Sequence, residues 1–224
     1  MGSLLVAVLP LALGAAISPT LLALQLLVLT GTTHRLARAW ALAAGAALVL
    51  AAFSLLCVTA LQRIRPHHAS HKSATYAAVL LASGALLGLL AIRSLLTRPT
   101  VGERHTSKIS TRLESASSRW FVGVGAVGMI VNFSTLVLVV PAVHEITHAG
   151  VSTTTKAAVF VVMYVIVLLP VLVPVLLVSI LGSGADRALD ATHAWVTSHA
   201  RTIGVVIEGV FAAYLIVKGV RALP

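Results

Sequence analysis

Charged residues, and acidic residues and cysteine in particular, are scarce in this chain of 224 residues. Only 10% of the residues are charged, whereas 58% are hydrophobic and the mean hydropathy is +1.02. A soluble domain of this size needs more polar surface, so the composition excludes that class and indicates a polytopic membrane protein. The one cysteine, Cys57, lies in an apolar run, which excludes a disulfide framework and a Cys-x-x-Cys redox pair.

The sequence also lacks the features of a nucleic-acid-binding protein, although 16 Lys and Arg against 6 Asp and Glu give it a formal charge of +10. Its basic residues lie in short loops between apolar runs, without a basic helix or a row of aromatic residues. Such loops are typical of membrane proteins, so we expect membrane lipids, and no nucleic acid, as partners. The N-terminus has no basic segment before its apolar run, which favours a retained first span over a cleaved signal peptide.

Six apolar runs remain, each long enough to cross roughly 30 Å of hydrocarbon. They cover residues 4–30, 37–61, 74–96, 120–143, 154–181 and 202–220. Lipid offers the backbone no hydrogen-bond partner, so every run is predicted to be helical. The predicted fold class is therefore all-α, with six transmembrane helices. A short interfacial helix is predicted between the last two spans, over residues 182–200.

The basic residues predict the orientation. The loops after spans one, three and five hold ten of the 16 Lys and Arg residues. Since cytoplasmic loops carry the excess of positive charge, these loops are expected in the cytoplasm and both termini outside.

The two halves of the chain resemble each other. Residues 14–22 align without a gap on residues 128–136: each segment has a glycine four residues before a small polar residue and a hydroxyl two residues after it. Three spans per repeat would place the halves in opposite orientations, as in transporters with a central site. We predict repeats at 1–97 and 119–224, a cytoplasmic linker at 98–118 and an insert at 183–200. A chance match between alanine- and leucine-rich helices stays open.

Polar residues inside the spans predict a substrate or ion site near the midplane. Pro19 should break the first helix and free the carbonyls of Gly14 and Ala15 for a cation or a headgroup. Glu208 is the only carboxylate well inside a span, which favours proton or substrate handling. The predicted site residues are Ser18, Pro19, Thr20, Gln25, Ser83, Asn132, Ser134 and Glu208. The alternatives are a proline kink that only improves packing and a glutamate solvated near the interface.

Two further features concern prolines and histidines. Pro170 and Pro174 predict a hinge or a static kink in span five. His144-Glu145-x-x-His148 is the motif of zinc peptidases. Pro141 is expected to interrupt its helix, and no Asp, Glu or His follows before residue 186 as a third ligand.

We therefore favour a polar helix end that carries interfacial histidines, with no enzymatic activity, metal or other cofactor. A surface metal site remains open, and so, more remotely, does a membrane zinc metalloprotease. The residues of such a metal site would be His67, His68, His71, His144, Glu145 and His148.

Three motifs carry a resemblance to a known family. They are residues 13–19 in span one, residues 35–45 at the start of span two and residues 91–94 at the end of span three. They are similar to the LysE superfamily of exporters, most closely to its GAP or Sap-like branch, the peptidoglycolipid- and sulfolipid-addressing proteins of actinobacteria. The resemblance covers nearly the whole chain. The branch often has Asn-Pro in span four, where this chain has Asn132-Phe133, which argues against a broken helix there.

The resemblance implies that the chain lies in the bacterial inner (plasma) membrane and helps to export a glycolipid or related cell-envelope lipid across it, beside a large lipid transporter. An exporter of metals, small cations or amino acids from the same superfamily is the alternative. Whether the chain forms a homodimer stays open.

Overall fold

The computed structural model of the chain describes residues 2–31, 34–63, 69–96 and 117–223, with the backbone alone for 69–73, 183 and 185–188. These residues form nine α-helices and one 3-10 turn, without a strand. The helices are α1 Gly2–Ala16, α2 Pro19–Leu29, α3 Arg35–Arg63, α4 Ala69–Leu96, α5 Ser118–Val131, α6 Phe133–His148, α7 Thr153–Val167, α8 Leu169–Leu181 and α9 Asp186–Arg221. Most of the predicted linker, together with His67 and His68, lies outside the described residues.

The helices fit the predicted multi-pass membrane protein. Three of them, α3, α4 and α9, contain apolar stretches long enough to cross a membrane unaided. The others form three bent pairs, α1–α2, α5–α6 and α7–α8, with bends of 54°, 73° and 70°. If each bent pair is one span, the described chain has six. The inverted relation between the halves stays a prediction.

Two of the bends follow from proline. Pro19 opens α2, and Ser18 caps that helix by accepting a hydrogen bond from the Leu21 backbone N–H at 3.3 Å. Pro170 lies in the first turn of α8, directly after the bend at Leu168. A proline lacks the N–H that would continue a helix but fits the first turn of a new one, so both sequences restart a helix at this point.

Span six differs from its prediction. Helix α9 runs without a break through Ala200, so the separate interfacial helix expected over residues 182–200 is not formed. The break falls earlier, at Gly182, whose φ of +58° suits glycine and ends α8. Since no proline or glycine stands between Asp186 and Thr202, the chain has no local reason to stop the helix near Ala200.

Helices α4 and α9 pack against each other more extensively than any other described pair. Gly84 allows this approach: a Cβ there would lie 2.9 Å from Ile216 Cγ1 and 3.1 Å from the Ala212 carbonyl oxygen. Helices α3 and α5 come closer still, since a Cβ at Gly125 would lie 2.0 Å from the Leu42 carbonyl oxygen. Small residues let helix backbones meet in this way where no hydrophobic effect drives association.

Candidate functional site

The breaks in spans one and four are joined to each other by hydrogen bonds. Asn132 Nδ2 donates to Thr135 Oγ1 at 2.6 Å, and Thr135 Oγ1 donates to the Ala15 carbonyl oxygen at 2.8 Å. Asn132 is 8% exposed and Thr135 is 2% exposed, so these bonds are buried. The end of α1 is therefore fixed against the start of α6.

These bonds correct two expectations. The Ala15 carbonyl oxygen is not free to bind a ligand, because it already accepts a hydrogen bond from the Thr135 hydroxyl. The Gly14 carbonyl accepts from the Ile17 N–H at 3.3 Å. Span four is broken despite the missing proline, because Asn132 adopts φ −76° and ψ 63°, outside the helical region, between α5 and α6. The missing proline after Asn132 argued against this break, whereas the alignment of residues 128–136 with residues 14–22, where the first span breaks, pointed to it.

A polar cavity of about 270 Å³ lies where the two breaks meet helices α4 and α9. Five of the predicted site residues line it: Pro19, Thr20, Asn132, Ser134 and Glu208. The other lining residues are Gly14, Ile17, Leu87, Ser94, Leu138, Ala200, Arg201, Gly204 and Ile207. Residues from both halves of the sequence thus surround one space.

Glu208 is the acidic residue of this cavity. Ser134 lines the cavity together with it, and the buried Oε2 atom of Glu208 has no hydrogen-bond partner among the described residues. The first turns of α2 and α6 border the same space through Thr20 and Ser134. Helix N-termini carry partial positive charge, which stabilises a carboxylate nearby. The cavity therefore combines one incompletely bonded carboxylate with neutral hydrogen-bonding groups.

Arg201 is a lining residue that the sequence did not reveal as part of the site. Its guanidinium donates to the carbonyl oxygens of Ser94 at 3.0 Å and Leu95 at 2.6 Å, and so caps the C-terminal end of α4. The side chain is exposed, so the cavity reaches the surface at this end of the bundle. In the sequence, Arg201 was one of ten loop charges, and nothing there pairs it with a helix about a hundred residues earlier.

Three predicted site residues do not line the polar cavity. Ser18 is the buried cap of α2. Gln25 is fully buried, and its Nε2 donates to the Ala39 carbonyl oxygen at 3.3 Å, which joins α2 to α3. Ser83 is buried in α4 at 7% exposure. The structure gives Ser18 and Gln25 packing contacts within their own half of the chain.

An apolar groove of about 900 Å³ adjoins the polar cavity. It lies between the first span, α8 and the first part of α9, and it shares Ile17 and Pro19 with the cavity. Its lining residues are Leu13, Ala16, Ile17, Ser18, Pro19, Leu22, Leu26, Leu169, Pro170, Val173, Pro174, Leu177, Leu181, Gly184, Leu189, Thr192, Trp195, Val196 and Ile203. The predicted hinge prolines thus border this groove, and whether they move stays a prediction.

The glutamate of the zinc-peptidase motif is engaged elsewhere. Glu145 Oε1 accepts from Lys218 Nζ at 2.9 Å and from the Tyr76 hydroxyl. The rings of His144 and His148 stack with centroids 4.3 Å apart, and His144 also stacks on Tyr76 at 5.2 Å. This ion pair, invisible in the sequence, gives Glu145 a partner that a peptidase base would not have.

The motif's helix corrects one further expectation. Helix α6 continues through Pro141 to His148, so the proline does not interrupt it as expected. Within the part of the chain that the structure describes, no three His, Cys, Asp or Glu residues are grouped as metal ligands. His67 and His68 lie outside that part, and for His71 only the backbone is described. A metal site that includes these three histidines stays untested.

Comparison with known proteins gives one match. The family model described as "Sap, sulfolipid-1-addressing protein" matches residues 8–221, nearly the whole chain. No protein with curated annotation and no solved structure matched.

Proposed function

The chain belongs to the Sap, sulfolipid-1-addressing protein, family, and we propose that it exports a glycolipid or related envelope lipid as a small transporter or transport accessory. The family supports a role in lipid addressing. One observation carries the step to transport: the polar cavity and the apolar groove meet at Ile17 and Pro19. A lipid is a molecule with one polar and one apolar part, and this pair of spaces is divided in the same way.

The polar cavity suits a headgroup. A polar group that crosses the membrane needs hydrogen bonds to replace those it loses with water. Thr20, Asn132 and Ser134 offer hydroxyl and amide groups, and Glu208 adds a carboxylate. Sugar hydroxyls both donate and accept, so they match this set. We assign headgroup binding to the cavity.

The apolar groove suits acyl chains. Its volume of about 900 Å³ falls within the roughly 300–1,000 Å³ of ordinary ligand pockets. Aliphatic side chains of α8, such as Val173 and Leu177, form one wall, and Trp195 stands on α9. The bend at Pro170 sets the angle of that wall, so a hinge there would widen or narrow the groove.

The wider setting is part of the proposal. We place the chain in the bacterial plasma membrane with both termini outside, as a transporter of the LysE type built from two inverted repeats. Membrane lipids surround it, and a large lipid transporter is its proposed partner. We assign it no catalytic reaction and no cofactor.

A gene deletion with matched complementation tests the proposal. We expect cells without the gene to retain one class of envelope lipid inside, and the wild-type gene to restore its export. Ile17→Trp should fail to restore export, because the larger side chain fills the junction of cavity and groove. Val6→Trp, at a 72% exposed position of α1, is the control and should restore it. An unchanged lipid profile in the deletion strain would end the lipid proposal.

Export of a small cation is a second candidate, favoured by the unpartnered carboxylate oxygen of Glu208. A cation exporter would leave the lipid profile of the deletion strain unchanged and make the cells sensitive to one metal or amine. Growth with increasing concentrations of single cations distinguishes the two candidates.

A further inference from the structure

Helices α4, α6 and α9 carry two polar levels, and the proposed function uses only one. The cavity level contains Ser94, Ser134 and Glu208. The second level, here called the Lys218 cluster, contains Tyr76, Glu145 and Lys218. Since Lys218 follows Glu208 by ten residues in a continuous helix, the levels lie about 15 Å apart along α9.

The bundle is closed between the two levels. Leu80 of α4, Leu138 of α6 and Leu215 of α9 lie at intermediate positions, and each is at most 1% exposed. The cavity reaches the surface at its other end, where Arg201 is exposed. A ligand in the cavity therefore has a polar way out at the Arg201 end and faces a packed layer towards the Lys218 cluster.

The Lys218 cluster holds this closed end together. Glu145 of α6 accepts from Lys218 of α9 and from Tyr76 of α4, so one carboxylate joins three helices. The Lys218 ammonium also lies 5.6 Å from the Tyr76 ring and 6.0 Å from the Tyr214 ring. The rings of Tyr76, His144 and His148 stack in a row beside it. Helix α9 cannot leave α6 at this end while these bonds persist.

The partial exposure of the Lys218–Glu145 ion pair suits a contact that breaks and forms again. The side chains of Lys218 and Glu145 are 28% and 21% exposed. Ions that already touch water can exchange a partner for further water at much smaller cost than fully buried ions. If only aliphatic side chains packed at this end, there would be no bond there that water could replace.

We propose that the Lys218 cluster is the closed gate of an alternating-access cycle, and that its opening releases the cavity's ligand at the end of the bundle opposite Arg201. This inference rests on the proposed function, since a gate requires transport. It also gives the His-Glu-x-x-His glutamate a role: Glu145 is the acceptor that both gate donors share. The structure is then the state open at the Arg201 end.

Thiol labelling from each side of the membrane tests the gate without measuring lipid export. Cys57→Ser removes the single cysteine, and Ser134→Cys then places one thiol on the cavity. Vesicles of both orientations are treated with a membrane-impermeant maleimide. With the gate intact, we expect labelling from the Arg201 side only.

Gate variants in this background should admit the reagent from the second side. Glu145→Ala removes two charge-assisted hydrogen bonds, so labelling from the Lys218 side should rise about tenfold or more. The charge-swapped pair, Glu145→Lys with Lys218→Glu, should restore protection. Tyr76→Phe keeps the ring and removes only the hydrogen bond to Glu145, so labelling from the Lys218 side should rise less. This variant replaces Glu145→Ala in the test if Glu145→Ala does not fold.

Unchanged labelling in a folded Glu145→Ala or Tyr76→Phe variant would overturn the gate. The result is separable from the lipid proposal. If labelling responds while the deletion strain exports its lipids normally, the gate stands and the lipid assignment fails. If lipid export depends on the gene while labelling does not respond, the lipid assignment stands and the gate fails.

Discussion

Two glutamates on different helices of the bundle, Glu145 on α6 and Glu208 on α9, have opposite surroundings. Glu145 is bonded by an ammonium and a phenol from two other helices. Glu208 lines a cavity beside Ser134 and keeps one oxygen without a hydrogen-bond partner among the described residues. A carboxylate whose bonds are all internal fastens helices to each other. A carboxylate that leaves an acceptor free beside a cavity offers it to a ligand.

The contrast also shows how a motif can mislead. Glu145 stands in a pattern associated with zinc chemistry, yet its neighbours hold it in an ion pair. Glu208 stands in no pattern, yet residues of α2, α6 and α9 surround it. The role of each glutamate follows from the groups that the fold brings to it from other helices. For Glu145 these are Lys218 on α9 and Tyr76 on α4, and for Glu208 they are Thr20 on α2 and Ser134 on α6.

The largest expected effect concerns Glu208, the glutamate that lines the cavity. Glu208→Ala should lower lipid export roughly tenfold to a hundredfold, because a hydrogen bond to a charged group contributes about 1.5–3 kcal/mol. The quantity to measure is the rate at which the lipid reaches the outside of complemented cells. Asp190→Asn, an exposed carboxylate on the same helix, is the control. Equal export from both variants would remove Glu208 from the site.

A second prediction concerns stability on the gate side. Glu145→Ala should lower the free energy of unfolding by about 1–2 kcal/mol, since it leaves the partly buried Lys218 without its counter-ion. Lys218→Met should cost less, because Glu145 keeps its hydrogen bond from the Tyr76 hydroxyl. Thermal unfolding in detergent measures both. A Glu145→Ala protein as stable as the wild type would show that the cluster does not hold α6 to α9.

The smallest expected effect refines the comparison within the cavity. Ser134→Ala removes a hydroxyl of the cavity beside Glu208 and should lower export about fivefold, as the loss of one ligand hydrogen bond of roughly 1 kcal/mol predicts. Ser134→Thr keeps a hydroxyl and should retain most of the export. If alanine and threonine behave alike, the Ser134 hydroxyl contributes nothing to ligand binding.

Local chemistry made part of this molecule predictable from sequence. Pro19 and Pro170 each open a new helix, although Pro141 does not interrupt α6, and lipid requires helices of the long apolar runs. The resemblance to the Sap family was confirmed as well, by a family model that matches residues 8–221. Glu208 could be singled out because a carboxylate is rare within an apolar span.

Long-range contacts made the rest unpredictable. The break at Asn132 is held by Thr135 and by a carbonyl 120 residues earlier. Lys218 reaches Glu145 across 73 residues, and Arg201 reaches Ser94 across 107. No local pattern encodes such pairs. The continuity of α9 was missed for the opposite reason: its polar first half looked like a separate helix, although nothing in it stops one.

Photo-crosslinking tests most directly whether cavity and groove together hold a lipid. A benzophenone amino acid at Leu177, which lines the groove, is compared with one at Ile180, which is 79% exposed on the same helix. Mass spectrometry of the adducts should find an envelope lipid at Leu177 that is absent at Ile180 and is lost when Glu208→Gln is added. Identical bulk phospholipids at both positions would contradict this account.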